Sequence, residues 1–274
     1  MKKVIIMNRY KINMNKSRFQ ALRWKFQEYK DLKIAGIKRS LIMDFLNVYY
    51  REETYKIWVQ LGKMSASKFG ISFIEDTPDN LLHEVYLRHI YDIPGFIPTK
   101  DEIIIDVGAN VGDTSIYWAK LYGAKVLAFE PLSESFEIMR ANISLNGLDD
   151  LITPYNLALG DGTDISFNMS GYMMKYSMDS LKKIKTERLD NFNFNNISMI
   201  KIDVEGFELH VLRGAIETIK RNKPRIIIET HSKELRERTN EILSSVGYSL
   251  IYREKSSRGD GFMDEVTNLF YRYL

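Results

Sequence analysis

The sequence has no cysteine among its 274 residues. That excludes disulfides, thiolate metal centres and cysteine nucleophiles together. It also lacks any apolar run near the ~20 residues that span a bilayer. The opening MKKVIIMNRYKINMNK is basic, and its apolar run covers only Val4 to Met7. A cleaved signal needs an apolar core of about 7–15 residues, so a cytoplasmic protein is expected. Repeats and low-complexity segments are missing as well. What is present is an ordinary globular composition, 45% hydrophobic and 27% charged. The length suits one large domain, or a domain of roughly 180 residues with an extension.

The net charge of +3 conceals an asymmetry. Residues 1–60 hold 14 Lys and Arg against 5 Asp and Glu, or +9, which leaves −6 for the remaining 214. A basic arm on a mildly acidic body suggests anionic partners, such as a phospholipid surface, nucleic acid or a phosphorylated glycan. A solvated, lysine-rich helical face would look the same. Within the arm, Phe19, Leu22, Phe26 and Tyr29 recur at helical spacing over residues 17–33. Such a stripe either packs on the adjoining domain or lies in a membrane interface. A second helix is expected over 37–50, short strands over 54–75 including Ile71 to Ile74, and a helix over 79–91. The segment DIPGFIP, Asp92 to Pro98, then breaks the chain. Residues 1–97 are thus expected to form a basic, mainly helical extension with short strands, and 98–274 the main domain.

From Ile103 onward, strand and helix patterns alternate. Strands are expected at 103–107, 125–129, 151–157, 199–203 and 225–230, with helices at 113–122, 133–145, 207–221 and 233–245. Short strand candidates at 165–168 and 186–189 interrupt the series. Final strands at 248–253 and 266–273 form a hairpin-like edge with one antiparallel member. The sum is an α/β fold with a mostly parallel sheet and helices on both faces.

The most informative stretch is IIIDVGANVGDTS, Ile103 to Ser115, followed by KVLAFEP, Lys125 to Pro131. It describes a strand, a glycine-bearing turn, a helix opening at Gly112, and a second strand ending in Glu130. Glycine permits positive φ and close backbone approach, and the helix N-terminus offers unpaired N–H groups. Glu130 at a strand end is placed to accept both hydroxyls of a ribose. A tight strand–helix turn alone would also use Gly108 and Gly112, but Asp106 and Glu130 accompany them. The loop Gly108-Ala109-Asn110-Val111-Gly112 lacks the second glycine that a dinucleotide pyrophosphate requires, and no Gly-Lys-Ser/Thr follows for a nucleotide triphosphate. Asp106 would repel a pyrophosphate and suits an ammonium. The pattern points to S-adenosylmethionine, which carries an amino acid, a sulfonium and a ribose but no phosphate. Leu157 and Ala158, after the third strand, are apolar enough to lie against an adenine face.

Ligands of open α/β sheets bind at the carboxyl ends of the strands. After the fourth strand comes Asp203-Val204-Glu205-Gly206, and at the end of the fifth come Glu229 and His231. A hydroxyl that receives a methyl group must lose its proton to a base. His231, with an unperturbed pKa near 6.5, is the natural candidate. Asp203, Glu205 and Glu229 could instead hold the hydroxyl or bind a divalent metal through oxygen. Plainer roles exist: Glu205 could favour the helix dipole, and His231 could merely neighbour the cap residue Ser232. His210, among Leu209, Leu212, Ile216 and Ile219, is expected to be structural, as are His83 and His89.

With these residues in place, the chain resembles the FkbM family of methyltransferases. The matching segments are Ile105–Ser115, AFEP at Ala128–Pro131, Asn142, LALGD at Leu157–Asp161, RLD at Arg188–Asp190 and IKIDVEGFELHVLRGA at Ile200–Ala215. The resemblance covers about residues 70 to 273. It implies a Rossmann-like class I methyltransferase fold with a seven-stranded sheet, and O-methylation of sugar or polyketide hydroxyls. It carries Asp203 and Glu205 over as active-site residues without deciding which is the base. An RNA ribose methyltransferase would suit the basic arm. The Asn/Asp-Pro-Pro-aromatic motif of base-amine methylation, however, is replaced here by Asp203-Val204-Glu205-Gly206. A non-catalytic cofactor-binding partner protein is the alternative outside enzymes.

Overall fold

The computed structural model describes residues 3–7, 10–14, 63, 65–74, 77, 82–86, 89–170, 173–176, 183–255 and 266–274. The helices expected over 17–33 and 37–50, with the stripe from Phe19 to Tyr29, lie outside these residues. By internal contacts the chain divides into two units, one of Met1–Ser72 and Pro78–Tyr91, the other of Phe73–Thr77 and Asp92–Leu274.

In the first unit, β1 (Lys3–Met7) pairs antiparallel with β2 (Tyr10–Met14), Met7 facing Tyr10. No hairpin was expected there. Residues 65–67 are helical, and 71–74 form no strand among the described residues, which corrects the strand expected at Ile71 to Ile74. Of the helix expected over 79–91, α1 (Leu82–Tyr86) is described. His89 has φ +52°, a left-handed backbone through which a helix does not continue.

The second unit is built on β3 (Ile103–Val107), α2 (Asp113–Tyr122), β4 (Lys125–Phe129), α3 (Ser133–Leu145), β5 (Ile152–Tyr155), β6 (Ala158–Leu159), β7 (Ile165–Ser170), β8 (Met173–Tyr176), β9 (Lys183–Ile184), β10 (Thr186–Glu187), β11 (Ile197–Ile202), α4 (Glu208–Asn222), β12 (Arg225–Thr230), α5 (Lys233–Ser245), β13 (Tyr248–Lys255) and β14 (Thr267–Tyr273). The seven-stranded sheet runs β13-β14-β12-β11-β3-β4-β5. β5, β4, β3, β11 and β12 are parallel, and β14 is antiparallel to both of its neighbours. The expected edge is present, with the later strand inserted inside and β13 outermost. From β3 the chain steps outward to β4 and β5, then returns to the other side of β3 for β11 and β12. Right-handed crossovers therefore place α2 and α3 on one face and α4 and α5 on the other. The reversal between β3 and β11 opens a crevice at their carboxyl ends.

Local chemistry sets these boundaries. The runs IIIDV and RIIIET are β-branched and buried on both sides of the sheet, as central parallel strands must be. Helix α2 ends at Gly123, whose left-handed backbone returns its N–H to Ala119. Helix α5 starts where Ser232 Oγ accepts from the Leu235 N–H at 3.1 Å. Helix α4 buries Glu208, Val211, Leu212, Ala215, Thr218 and Ile219, one stripe at helical spacing. The strand expected over 151–157 is split, because Leu157 N–H turns back to the Tyr155 carbonyl and β6 pairs with β10 instead. No helix among the described residues is long and apolar enough to cross a membrane.

One contact binds two sequence motifs far apart in the chain. A Cβ on Gly214, in α4, would lie 1.7 Å from the carbonyl oxygen of Gly160, just after β6. Gly214→Ala is therefore expected to force the helix off that strand end and to cost ~1–3 kcal/mol, the usual range for overpacking. Thermal unfolding checks this: a drop of several degrees is expected, and an unchanged midpoint contradicts the contact.

Candidate active site

In the register of the parallel pair β3–β11, Lys201 lies directly opposite Asp106. Both are buried, Asp106 fully so. Lys201 Nζ sits 3.1 Å from Asp106 Oδ1 and 3.6 Å from Asp203 Oδ2. The other Asp106 oxygen accepts from Ser115 Oγ at 2.7 Å. Burial alone would lower the Lys201 pKa, but the charges of Asp106, Asp203 and Asp113 outweigh it and hold the ammonium above its ordinary value. Asp106 was expected to face the ammonium of a ligand. In the structure both of its oxygens are engaged inside the protein, where a lysine of the next strand supplies the cation.

The glycine-bearing turn follows β3. Gly108 and Ala109 both donate to the Phe129 carbonyl at 3.0 Å, which fastens the turn to the end of β4. Gly108, Asn110 and Gly112 all have positive φ. A Cβ on Gly108 would lie 1.8 Å from the Asp203 carbonyl oxygen. The close approach that this glycine permits is thus to the end of β11. Asn142, fully buried on α3, donates to the Val111 carbonyl at 3.0 Å and accepts from the Ile74 N–H at 3.0 Å, holding the turn from behind. Asn110 Oδ1 is buried with no hydrogen-bond partner among the described residues. Helix α2 opens without a side-chain cap.

Glu130 closes β4. Its Oε2 accepts from the Asn110 N–H at 2.9 Å and its Oε1 from the Leu132 N–H at 2.8 Å. Each oxygen keeps a second lone pair. Burial pushes the Glu130 carboxyl up to about 7, against the lowering effect of those two N–H groups. Asn156 fixes the strand end by donating to the Glu130 carbonyl at 2.9 Å. Leu157 and Ala158 follow on the neighbouring strand end, partly and fully buried respectively.

The expected acids converge across the crevice. His231 Nδ1 lies 3.0 Å from Glu208 Oε1, and Nε2 lies 3.3 Å from Glu229 Oε1 and 3.4 Å from Glu205 Oε2. Glu205 has φ +52°, a strained backbone for a side-chain-bearing residue. Burial would lower the His231 pKa, yet the hydrogen bonds and charges of Glu208 and Glu229 prevail and hold it well above its ordinary value. The surrounding acids thus favour the protonated ring, which weighs against the neutral histidine base that was expected. Burial and the charge of Glu229 raise Asp203 to about 6, partly offset by Lys201 and His231. Asp203 retains 18% side-chain exposure.

Two members of the site escaped sequence reasoning. Lys201 looked like one polar residue in the apolar strand MIKID; a charge in a strand buried on both faces was the available signal. Glu208 looked like a first-turn helix acid, and only the fold brings it to His231. His210 lies outside the cluster, stacked on Phe207 at 4.2 Å with Nδ1 2.7 Å from Asp161 Oδ2.

The family described as Methyltransferase FkbM domain matches residues 106–250, which span every strand end described above. The chain belongs to this family. Its fold is that of the class I methyltransferases. Methyltransferase sdnD of Sordaria araneosa is 24% identical over 227 residues, covering 67% of this chain and 86% of its own. Hexuronic acid methyltransferase AglP of Haloferax volcanii is 29% identical over 141 residues, 48% of this chain and 57% of its own. Among solved structures, the METTL16 methyltransferase domain superposes with a TM-score of 0.53 at 17% identity, over 82% of this chain and 100% of that one. That likeness is one of fold.

Removing Lys201 would leave Asp106 and Asp203 as neighbouring carboxylates without their cation. Lys201→Met is expected to cost ~3–5 kcal/mol, as breaking a buried ion pair from one side does. Urea unfolding at neutral pH measures it. A loss below about 1 kcal/mol would show that the ion group is better hydrated than its burial indicates.

Proposed function

We propose that the chain is an S-adenosylmethionine-dependent O-methyltransferase acting on a hydroxyl of a sugar, glycan or natural product. The observation that carries this reading is the direct contact between Gly108 and Asp203. It sets a cofactor-type turn against an acid-bearing strand end, so that the two halves of a methyl transfer share one crevice. The residues fit the cofactor. Glu130 has lone pairs for two ribose hydroxyls, the unpartnered Asn110 Oδ1 offers an acceptor to the amino-acid ammonium, and Leu157 and Ala158 offer an apolar wall to the adenine. Asp106 acts through Lys201 and Ser115 as the support of this turn. When bound, S-adenosylmethionine supplies an electrophilic methyl group on sulfur.

The protein's own residues handle the acceptor. A hydroxyl must lie within about 3–3.5 Å of the methyl carbon and in line with it, and its proton must leave as the new O–C bond forms. Asp203, partly exposed and tied to the turn, is placed to receive that proton. Glu205 and Glu229 hold the hydroxyl, with His231 orienting both carboxylates as their common cation. The excess of carboxylates favours a neutral polyhydroxylated acceptor. It repels the phosphates of RNA, which weighs against ribose methylation in a polynucleotide. The likeness to AglP, a hexuronic acid methyltransferase, agrees with a sugar acceptor, although an acidic crevice would oppose a uronate unless a cation intervened.

Glu130→Ala is expected to weaken S-adenosylhomocysteine binding by ~1.5–3 kcal/mol, since hydrogen bonds to a charged group are lost; that is roughly tenfold to over a hundredfold in Kd. The same assignment fixes a pH dependence. Only the ionised carboxylate accepts both hydroxyls, so affinity should fall as pH drops through about 7, the Glu130 value in the free protein. Calorimetric titration at pH 6 and pH 8 tests both points, and equal affinities would remove Glu130 from the ribose site. Asp203→Asn should lower turnover by ~10²–10⁴-fold while S-adenosylhomocysteine affinity stays within a few fold. Normal turnover in that variant would move the proton acceptor elsewhere.

A further inference from the structure

Asp203, Glu229 and His231 each present one ligand atom, and these atoms lie within 4.8 Å of one another. An ion held at about 2.0–2.3 Å by oxygen and nitrogen separates adjacent octahedral donors by ~3 Å and opposite ones by ~4.5 Å. A mutual separation within 4.8 Å is compatible with three donors around one ion. The distance of 3.3 Å from His231 Nε2 to Glu229 Oε1 matches adjacent positions.

The remaining ring nitrogen supplies a second feature. His231 Nδ1 is bound to Glu208 Oε1 at 3.0 Å, the carboxylate–histidine pairing that turns the far nitrogen of a metal-ligating histidine toward its ion. Glu208 is fully buried, its carboxylate faces His231, and its Oε2 has no hydrogen-bond partner among the described residues. A buried carboxylate oxygen left unmatched is costly unless positive charge lies nearby. Around the crevice stand Asp106, Asp203, Glu205, Glu208 and Glu229, with Lys201 and His231 as the cations that pair with them. Five carboxylates thus face two cations, a deficit of positive charge.

We infer that Asp203, Glu229 and His231 Nε2 bind one divalent cation at the acceptor side of the crevice, the ion displacing the Nε2 proton and Glu208 orienting the histidine. The mixed oxygen and nitrogen donor set suits Mn²⁺ or a similar first-row ion. The ion's effect on methyl transfer rests on the function proposed above: it would draw the acceptor oxygen into place and ease loss of its proton. One oxygen of Asp203 on the ion leaves the other for that proton. The ion would also let the crevice accept a carboxylate-bearing sugar, which the bare acids repel.

The test is Mn²⁺ binding to the full chain after dialysis against chelator, followed by the electron paramagnetic resonance signal of free Mn²⁺. S-adenosylhomocysteine affinity is measured on the same samples. One saturable site per chain is expected, weakened at least tenfold in Glu229→Gln and in Asp203→Asn and unchanged in Glu217→Gln on the exposed face of α4. Retained S-adenosylhomocysteine binding shows that each variant is folded. Wild-type protein that binds S-adenosylhomocysteine but shows no saturable Mn²⁺ binding to millimolar concentration overturns the cation site and leaves the cofactor assignment standing. Mn²⁺ binding that persists unchanged in both crevice variants overturns it equally, by placing the ion elsewhere.

Discussion

A lysine ammonium buried between two strands is the constraint on which the rest of this site depends. Lys201 must be neutralised where it lies, and Asp106 on β3 and Asp203 after β11 do so. Desolvating such a group costs several kcal/mol per ion before attraction repays it. The arrangement therefore contributes less to stability than to geometry: it is satisfied only when β3 and β11 end in one register. That register brings Gly108 under the Asp203 carbonyl, a contact that no side chain could occupy. The turn after β3 and the acids after β11 thus face one crevice because a cation between them allows no other spacing.

The crevice divides chemically. On the β4 side, Glu130 offers two acceptor oxygens and Asn110 one in a backbone-rich setting, suited to neutral hydroxyls and one ammonium. On the β12 side, carboxylates crowd around His231. The same side-chain type, a strand-end acid, behaves differently in the two places. Glu130 is raised chiefly by burial. Asp203 is raised by burial and by a neighbouring negative charge together, with two cations pulling it back. Neither value could be assigned from a residue's position in the chain, since each depends on what the other strands bring.

The fold was legible where physics is local. The β-branched runs, the glycines ending helices and the Ser232 cap place most strands and helices of the second unit within a residue or two, and the step back from β5 to β11 follows from chain order. Legibility failed where a distant partner decides. His231 reads as a neutral base until Glu208, from helix α4, and Glu229 are seen to favour its protonated form. Asp106 reads as a ligand group until Lys201 takes its charge. Gly214 reads as a weak point in a helix until the Gly160 carbonyl is seen against it. The β1–β2 hairpin was missed because it rests on pairing between strands, and the helix expected over 79–91 does not pass His89, whose backbone is left-handed. Family resemblance located the right blocks, Ile105–Ser115 and Ile200–Ala215, but not the salt bridge between them.

The central claim is that cofactor and acceptor meet across the contact between Gly108 and Asp203. A crystal structure of the full chain with S-adenosylhomocysteine tests it most directly. The account predicts ribose hydroxyls on the Glu130 carboxylate, the amino-acid ammonium at Asn110, and the thioether sulfur directed toward Asp203 and Glu229. Cofactor bound away from Glu130, or with its sulfur turned from the Asp203 side of the crevice, would contradict it.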